Sequence, residues 1–304
     1  NPNPNPNPNP NPNPNPNSLI EKTPLPTLLH YHRHQLTRVY PHGTRIGSSN
    51  MPAVNLLSCA RAGAQLLCLN YQTNDAGQQL NRALFRLNGS CGYVLQGPLL
   101  THPEAPYLPH PTASDKAREA WAAMTPARRS GKAHTLHLQV VCAQHLPKSG
   151  EERIAPDVWD HFDPQGLMPS HHRAPSLNPP STIYVTVEAW HQAPAGSEEA
   201  TLRHETKRVE GNGLNPSWEE HVNGPAGWSL ARPNAAFVRL AVHHRGVLKD
   251  ECIGSEVLPV VALRQGYRSV QLRSPKGLRL QLAALLVHIR FEPKEEPLRR
   301  FADI

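Results

Sequence analysis

The chain has 304 residues, a net charge of +7 and an isoelectric point near 9.3, and this basic balance favours an anionic partner, either a nucleic acid or an acidic lipid surface. Its five cysteines are odd in number and form no Cys-x-x-Cys pair, which argues against a disulfide framework or a zinc site and favours a reducing, intracellular setting. No apolar stretch approaches the roughly 20 residues of a membrane-spanning helix, so an integral membrane protein is not expected.

Residues 1–17 alternate Asn and Pro. Every second position lacks a backbone N–H donor, and no side chain in the repeat can build an apolar core. The repeat also lacks the charged and apolar regions of a signal peptide. We expect a disordered or polyproline-like tail that carries no information on function.

The next part of the chain predicts a parallel α/β unit. Three short apolar runs are read as strands, at 36–40, 65–71 and 92–95. The second and third runs lack a polar side, which is typical of strands covered on both faces. Apolar residues at helical spacing from Gln78 to Leu87 predict the helix between them. A strand, a helix and a strand in this order form a parallel crossover.

From 103 to 132 the composition shifts to Pro, Ala, Lys and Arg, which indicates a linker with one short helix near 114–124. Beyond the linker the apolar period changes to two in four segments, 134–141, 183–189, 237–242 and 280–289. Short alternating strands bounded by turn residues predict an antiparallel β-sandwich. Residues 148–180 are rich in Pro, His and Asp without periodicity, and are read as a long inserted loop.

A series of short motifs follows in one order, with Leu36–Pro41, Gly43–Arg45, Ser48–Asn50, Gly63–Gln65, Leu69–Thr73, Leu80–Asn81 and Asn88–Leu95. Together they resemble the Y region of the phosphoinositide-specific phospholipases C, and their order over about 60 residues makes the signal strong. The predicted sandwich resembles the C2 domain of the same family, through Gly213–Trp218, Cys252–Gly254 and Gln265–Arg268.

The resemblance implies the fold class, an α/β half of a TIM-type barrel followed by an all-β antiparallel C2 sandwich. The expected domain limits are 1–17 for the repeat, 18–112 for the half-barrel, 113–133 for the linker, 134–293 for the C2 domain with its insert at 148–180, and 294–304 for a tail. In that family the barrel is built from an X and then a Y segment, and this chain matches only Y. Half of a parallel barrel has open edges, so we expect the X half as a partner.

By the same resemblance, the catalytic histidines and the ligands of a catalytic Ca²⁺ belong to the X segment, so no catalytic or metal-binding residue is assigned here. The Y segment contributes substrate binding. Arg38 matches the arginine that contacts a ring phosphate, and its fork of donors suits phosphate oxygens. Tyr40 matches the tyrosine that packs against the inositol ring.

Two departures from the family pattern count against full activity. A lysine of the family is replaced by Gln96, with Gly97 added after it. The family's tryptophan between Asn50 and Gln65 is absent, and this segment is a few residues longer. A rearranged loop is therefore expected there.

The expected function is that of a phosphoinositide phospholipase C, which cleaves phosphatidylinositol 4,5-bisphosphate to diacylglycerol and inositol 1,4,5-trisphosphate in intracellular signalling. This chain lacks the X half and is expected to be inactive alone. The alternative is a catalytically inactive, phospholipase-like adaptor that binds phosphoinositides. Nucleic-acid binding ranks last because no basic helix or aromatic-interleaved motif is present. We expect a cytoplasmic protein, peripheral at the inner membrane leaflet, whose partner is a phosphoinositide membrane surface.

The third loop of the predicted sandwich reads Val242-His243-His244-Arg245-Gly246, with histidine and glycine where calcium-binding C2 domains carry paired aspartates. Neutral or cationic groups do not hold a hard cation, so a calcium-independent sandwich is expected. Asp157, Asp160 and Asp163 in the insert are read as a solvated acidic loop.

Three histidines near the start, His30, His32 and His34, alternate and would share one face of a strand. Such a face could ligate a metal. With no Cys or carboxylate beside them, an exposed basic strand edge is the favoured interpretation.

Overall fold

The computed structural model describes residues 25–41, 46–96, 100, 134–147, 182–191, 201–230, 233–246 and 248–292. These residues form two compact units. The predictions for the Asn-Pro repeat, the linker, the insert and the C-terminal tail lie outside the described residues, and the expected domain limits remain predictions.

The first unit contains helix α1 (Leu25–His34), strand β1 (Arg38–Val39), helix α2 (Ala53–Arg61), strand β2 (Leu66–Leu67) and most of helix α3 (Ala76–Arg86). Strands β1 and β2 pair in parallel, with Arg38 opposite Leu66, and α2 connects them. A parallel crossover is therefore present, but β1, α2 and β2 form it. The predicted crossover, with the helix from Gln78 to Leu87 between strands at 65–71 and 92–95, is confirmed only in its first strand, as β2, and in its helix, as α3.

Local sequence accounts for the two later helices. Helix α2 follows Pro52, whose ring leaves no N–H to be satisfied at a helix start, and it buries Leu56 and Leu57. Helix α3 follows Asp75, whose Oδ1 accepts the backbone N–H of Gln78 at 3.1 Å. A carboxylate at this position satisfies one of the free donors of the first helical turn.

Three expectations for the first unit are wrong. The segment after Asn50 is not a rearranged loop but helix α2. Residues 93–96 contain no strand, and Tyr93 is 79% exposed. An apolar run becomes a strand only when a neighbouring strand takes up its backbone hydrogen bonds, and no strand pairs with this segment among the described residues. The third wrong expectation concerns the histidines of α1.

The histidines lie on a helix and not on a strand. His30 and His34, four residues apart, contact each other at 5.3 Å between ring centroids. His32 is buried on a different side, where its Nδ1 hydrogen-bonds the carbonyl oxygen of Ala62 at 2.5 Å. The shared face is therefore absent, and within the described residues no group of three or more His, Cys, Asp or Glu side chains could hold a metal ion.

The second unit is an antiparallel β structure. Its strands are β3 (His134–Gln144), β4 (Ile183–Trp190), β5 (Thr201–Glu205), β6 (Ser217–His221), β7 (Trp228–Leu230), β8 (Phe237–His244), β9 (Glu251–Pro259), β10 (Gly266–Arg273) and β11 (Arg279–Glu292). Their order in the sheet is β5-β4-β8-β9-β10-β11-β3-β6, and β7 pairs with β3. The four strands predicted from alternation are confirmed by β3, β4, β8 and β11.

The sheet curls so that its two halves enclose one core. Strands β9 and β10 meet through the pair Ser255 and Arg273, whereas the strands within each half pair over most of their length. Both halves contribute to the core, with Leu136, Val140, Val187, Leu240, Leu272 and Leu285 among its members. Each such side chain contributes about 1.5 to 3 kcal/mol on full burial. This curled antiparallel sheet is consistent with a C2 sandwich.

No helix in the part of the chain that the structure describes is long and apolar enough to cross a membrane. None of the five cysteines, all of which lie in the described residues, forms a disulfide.

Candidate functional site

Arg38 and Tyr40 lie on the same side of the parallel sheet, because side chains alternate along an extended strand. Arg38 is exposed, and Tyr40, which directly follows β1, is 44% exposed. Val39 between them points to the opposite side and is buried. The unit therefore covers one side of its sheet and leaves the side with Arg38 and Tyr40 open.

Hydrogen bonds fix β1 relative to its neighbours. The N–H of Leu66 donates to the carbonyl oxygen of Thr37 at 3.1 Å. Gln65 adds two side-chain bonds: its Oε1 accepts the N–H of Thr37 at 2.8 Å, and its Nε2 donates to the carbonyl oxygen of His32 at 2.8 Å. The position of Arg38 is thus tied to both β2 and α1.

The open side also carries apolar side chains. Leu66 stands directly opposite Arg38 and is 51% exposed. Leu36, two residues before Arg38, is 80% exposed. Exposed apolar area of this kind is where another segment can pack.

The loops after β1 and β2 are joined through the buried side chain of Asn50. Its Oδ1 accepts the N–H of Asn70 at 2.7 Å, and its Nδ2 donates to the carbonyl oxygen of Asn70 and to Oδ1 of Asp75, each at 3.0 Å. The backbone N–H of Asn50 donates to Oδ2 of Asp75 at 2.6 Å. Both loops follow the carboxyl ends of parallel strands, the edge at which barrel enzymes build their sites.

Two further bonds widen this contact. Nδ2 of Asn70 donates to the carbonyl oxygen of Ser49 at 3.2 Å, and Oγ1 of Thr73 donates to that of Gly47 at 3.2 Å. Between these anchored residues, Tyr71 is 71% exposed. Sequence reasoning found Asn50 and Asn70 only as parts of matching motifs and missed their contact.

In the second unit, a polar cluster lies where β8 ends and β9 begins. The hydroxyl of Tyr184 donates to Oδ2 of Asp250 at 2.6 Å, and its ring stacks on His243 with centroids 5.1 Å apart. The guanidinium of Arg208 lies 5.0 Å from the Tyr184 ring centroid. Burial, then the bond to Asp250, raises the pKa of Tyr184 to about 12. Burial, then the charges of Arg239 and Arg203, lowers the pKa of His243 to about 4.

This loop does not fit a calcium ion. Ca²⁺ takes six to eight oxygen ligands, several of them from carboxylates. The described loop offers Asp250, which already accepts the Tyr184 hydroxyl and lies 3.8 Å from Arg208, together with Glu251, which also has a partner. The hydrogen bond from Tyr184 holds the pKa of Asp250 below its usual value. Asp157, Asp160 and Asp163 lie outside the described residues.

The depressed pKa of His243 predicts a pH-dependent stability. The unfolded chain binds a proton at this imidazole below pH 6.5, whereas the folded chain does so only near pH 4. Folding stability from this residue is therefore present above pH 6.5 and is lost as the pH falls towards 4. His243→Asn can retain a hydrogen bond to Thr186 but does not titrate. Its folding stability is therefore expected to fall less steeply with decreasing pH than that of the wild type.

The measurement is the urea midpoint at pH 7.5, 6 and 5, followed by the fluorescence of Trp190, Trp218 and Trp228, which are buried in the second unit. The control is His145→Asn at an exposed position. Equal slopes for His243→Asn and the wild type would show that the imidazole is not held neutral in the fold.

Comparison with known families gives two matches. Residues 14–99 match the family described as "Phosphatidylinositol-specific phospholipase C, Y domain". Residues 134–274 match the C2 domain. The first match contains Arg38, Tyr40 and the Asn50 contact, and the second contains the cluster around His243.

Curated relatives match over most of this chain. It is 31% identical over 280 residues to the human 1-phosphatidylinositol 4,5-bisphosphate phosphodiesterase gamma-2, and the alignment covers 91% of this chain and 18% of that protein. It is 29% identical over 261 residues to the human inactive phospholipase C-like protein 2, covering 86% and 19%. The chain thus spans less than a fifth of the length of either relative.

A solved structure has the same fold. The crystal structure of PLC21 from L. pealei aligns with a TM-score of 0.59 and 24% sequence identity, and the alignment covers 91% of this chain and 28% of PLC21.

Proposed function

We propose that this chain, which belongs to the phosphoinositide-specific phospholipase C family through its Y domain and its C2 domain, carries the substrate-recognition half of a phosphatidylinositol 4,5-bisphosphate phosphodiesterase. The observation that carries the proposal is the exposure of Arg38 on β1 and of Tyr40 directly after it, on either side of the buried Val39, near the carboxyl end of a parallel strand. This edge is where a TIM-type barrel binds substrate.

Each of the two side chains has a role that its chemistry supports. Arg38 keeps its charge at any physiological pH and presents donors in a rigid fork, which suits the oxygens of a ring phosphate. The ring of Tyr40 offers an apolar face against which the C–H side of an inositol ring can pack. Phosphate charge and ring shape would thus be recognised by neighbouring positions of one strand.

The reaction would be phosphodiester cleavage, in which the 2-hydroxyl of inositol loses its proton to a base and attacks phosphorus, and diacylglycerol leaves with a proton from an acid. Water would then open the resulting cyclic phosphodiester to give the inositol phosphate. The proton-transferring histidines and the carboxylates for Ca²⁺ would come from an X segment, where the ion would act as a Lewis acid. No residue of the Y or C2 domain described here is assigned to catalysis or to metal binding.

An X segment is the partner that the open side of the first unit favours. Leu36 and Leu66 leave apolar area in water, and β1 and β2 form a sheet of only two strands among the described residues. A parallel pair of this size is not stable by itself, and added strands would cover both its edges and its open face. The two segments would together form the TIM-type barrel.

The test is release of inositol phosphate from vesicles that contain phosphatidylinositol 4,5-bisphosphate, with Ca²⁺ present. Three samples are compared: this chain, an X segment from a phospholipase C of the same family, and the two mixed. Activity that appears only in the mixture is the expected result. A folded mixture with no activity would contradict the proposal.

The second candidate function is a catalytically inactive adaptor that binds phosphoinositides. It is favoured by Gln96 in place of the family's lysine and by the absence of the family's tryptophan after Asn50. The similarity to a human protein named as inactive also favours it. Vesicle binding that depends on phosphoinositide, without hydrolysis in the mixture, would support this function.

The residues exposed at one end of the sandwich support a phosphoinositide membrane surface as the partner. Leu248, in the loop between β8 and β9, is 98% exposed. Arg245 and Lys249 beside it are exposed, and so are Lys207 and Arg208, which the pairing of Val209 with Ile183 brings to the same end. An exposed leucine among cations is suited to an anionic leaflet, where each cation adds about 1 kcal/mol. A cytoplasmic protein, peripheral at the inner leaflet, would present this end to the lipid.

Leu248→Asp is therefore expected to weaken vesicle binding at least about tenfold, because it removes an apolar contact worth about 1.5 to 3 kcal/mol and adds a negative charge. Co-sedimentation with vesicles of phosphatidylserine and phosphatidylinositol 4,5-bisphosphate measures the change, with Ca²⁺ and with a chelator. Binding should not depend on Ca²⁺. Leu282→Asp, at a 45% exposed position on β11, is the matched control, and an equal loss in both variants would contradict this assignment.

A further inference from the structure

The contact between the loops after β1 and β2 depends on one side chain. The amide of Asn50 is 4% exposed and uses both of its ends. Its oxygen accepts the N–H of Asn70, and its nitrogen donates to the carbonyl oxygen of the same residue. Two bonds to one residue fix an orientation as well as a distance, which a single bond cannot do.

Asp75 completes the arrangement from a third direction. It accepts the backbone N–H and the side-chain Nδ2 of Asn50, and it also accepts the N–H of Gln78 at the start of α3. The loop after β1, the loop after β2 and the first turn of α3 are therefore joined at one point. A charged carboxylate acceptor makes these bonds roughly twice as strong as neutral ones.

Only an amide meets all of these demands at position 50. An aspartate keeps the oxygen that accepts from Asn70 but loses the donors, and its charge would face that of Asp75. An aliphatic side chain of similar size would leave the N–H and carbonyl of the half-buried Asn70 without these partners, and a polar group that loses its partner away from water is costly.

The anchored loops follow β1, which carries Arg38, and its neighbour β2. Asn50 and Ser49 end the loop that follows Tyr40, and Asn70 comes three residues after β2. Tyr71, directly after Asn70, is 71% exposed although the backbone carbonyl of Asn70 before it and the side-chain hydroxyl of Thr73 after it are held by hydrogen bonds. Residues held in place before a ligand arrives cost less entropy on binding.

We propose that Asn50 is a positioning residue for substrate recognition. It does not touch the substrate, but it fixes the loop after β1 relative to the loop after β2, so that Arg38, Tyr40 and the exposed Tyr71 meet a phosphorylated inositol headgroup in one geometry. This inference rests on the proposed function of the Arg38 and Tyr40 side.

The test uses the full chain mixed with an X segment and measures binding of inositol 1,4,5-trisphosphate by calorimetry. Asn50→Ala is expected to lower the affinity about tenfold or more. Asn50→Asp should lower it as well, and the double variant Asn50→Asp with Asp75→Asn should recover part of the loss because it removes the facing charges. Asn55→Ala, the same change on helix α2, is the control and should bind as the wild type does.

Hydrogen exchange at the backbone N–H of Asn70, which donates to Oδ1 of Asn50, gives a second readout. This amide should be protected in the wild type and in Asn55→Ala, and should exchange faster in Asn50→Ala. If Asn50→Ala loses the helical circular dichroism of the first unit, the comparison of Asn50→Asp with the double variant replaces it. Asp75→Asn can restore affinity to Asn50→Asp only if the side chains at positions 50 and 75 face each other.

The outcomes separate the two proposals. Unchanged affinity in Asn50→Ala, together with faster exchange at Asn70, would overturn the positioning role while the proposed function stands. A folded wild-type mixture that does not bind the headgroup would contradict the proposed function, and the role of Asn50 in recognition with it.

Discussion

Under the proposed function, replacing Arg38 by alanine is expected to lower kcat/KM of this chain mixed with an X segment, on phosphatidylinositol 4,5-bisphosphate, by roughly one to two orders of magnitude. The reason is the loss of a charge-assisted hydrogen bond, which is worth about 1.5 to 3 kcal/mol. Arg38 lies exposed on the open side of β1, so the substitution leaves the packed side of the sheet unchanged. Vesicle assays in the presence of Ca²⁺ measure the effect.

The lipid used as substrate separates recognition from stability. Phosphatidylinositol without ring phosphates offers no partner for the guanidinium, so its hydrolysis should change little in Arg38→Ala. Arg38→Lys keeps the charge but not the fork of donors and is expected to fall between the wild type and Arg38→Ala. Arg61→Ala at the end of α2 is the control. An equal loss on both lipids would mean that Arg38 only supports the fold.

Much of the first unit could be predicted from its sequence. The apolar runs at β1 and β2 and the helical spacing of α3 were sufficient, because each pattern is local. Helix α1 was misread since its histidines alternate, although its buried residues Leu28, Leu29 and His32 follow the spacing of a helix. The prediction of a third strand at 92–95 is wrong because Tyr93 to Leu95 has the composition of a strand but no neighbouring strand pairs with it among the described residues.

The candidate site was predictable where it depends on one strand and not where it depends on two loops. That Arg38 and Tyr40 share a side follows from alternation, and their exposure agrees with it. Whether they bind substrate stays a prediction. The bonds of Asn50 to Asn70 and Asp75 could not be foreseen, because they join positions 20 and 25 residues apart that only the tertiary fold brings together.

The sandwich shows the same limit. Alternating residues in β4 predict that one side of the strand is exposed to solvent, yet the strand is buried almost throughout. Its polar residues are satisfied by partners on neighbouring strands: Thr186 Oγ1 lies 2.9 Å from His243 Nε2, and Glu188 forms ion pairs with Arg239 and Arg203 at 3.3 and 3.6 Å. A polar residue in a strand therefore indicates an exposed position only when no polar partner on a neighbouring strand can satisfy it.

The core of the sandwich supplies the second large effect. Leu240 is 1% exposed on β8, where it stands opposite Val187 of β4 and belongs to the cluster shared by both halves of the sheet. Leu240→Ala is expected to lower the free energy of unfolding by about 2 to 5 kcal/mol, because it removes buried methyl groups and leaves a cavity. With a urea slope of about 1 to 3 kcal/mol/M, the midpoint should shift by at least about 0.7 M.

The fluorescence of the three buried tryptophans, Trp190, Trp218 and Trp228, follows this transition, since the described part of the first unit contains no tryptophan. Leu282→Ala makes the same chemical change at a 45% exposed position on β11, where a surface substitution costs within about 0.5 kcal/mol. The two variants differ only in which side of the curled sheet loses methyl groups. Comparable losses of stability would mean that Leu240 does not face the shared core, whereas a loss confined to Leu240→Ala would place the main source of stability between the two halves.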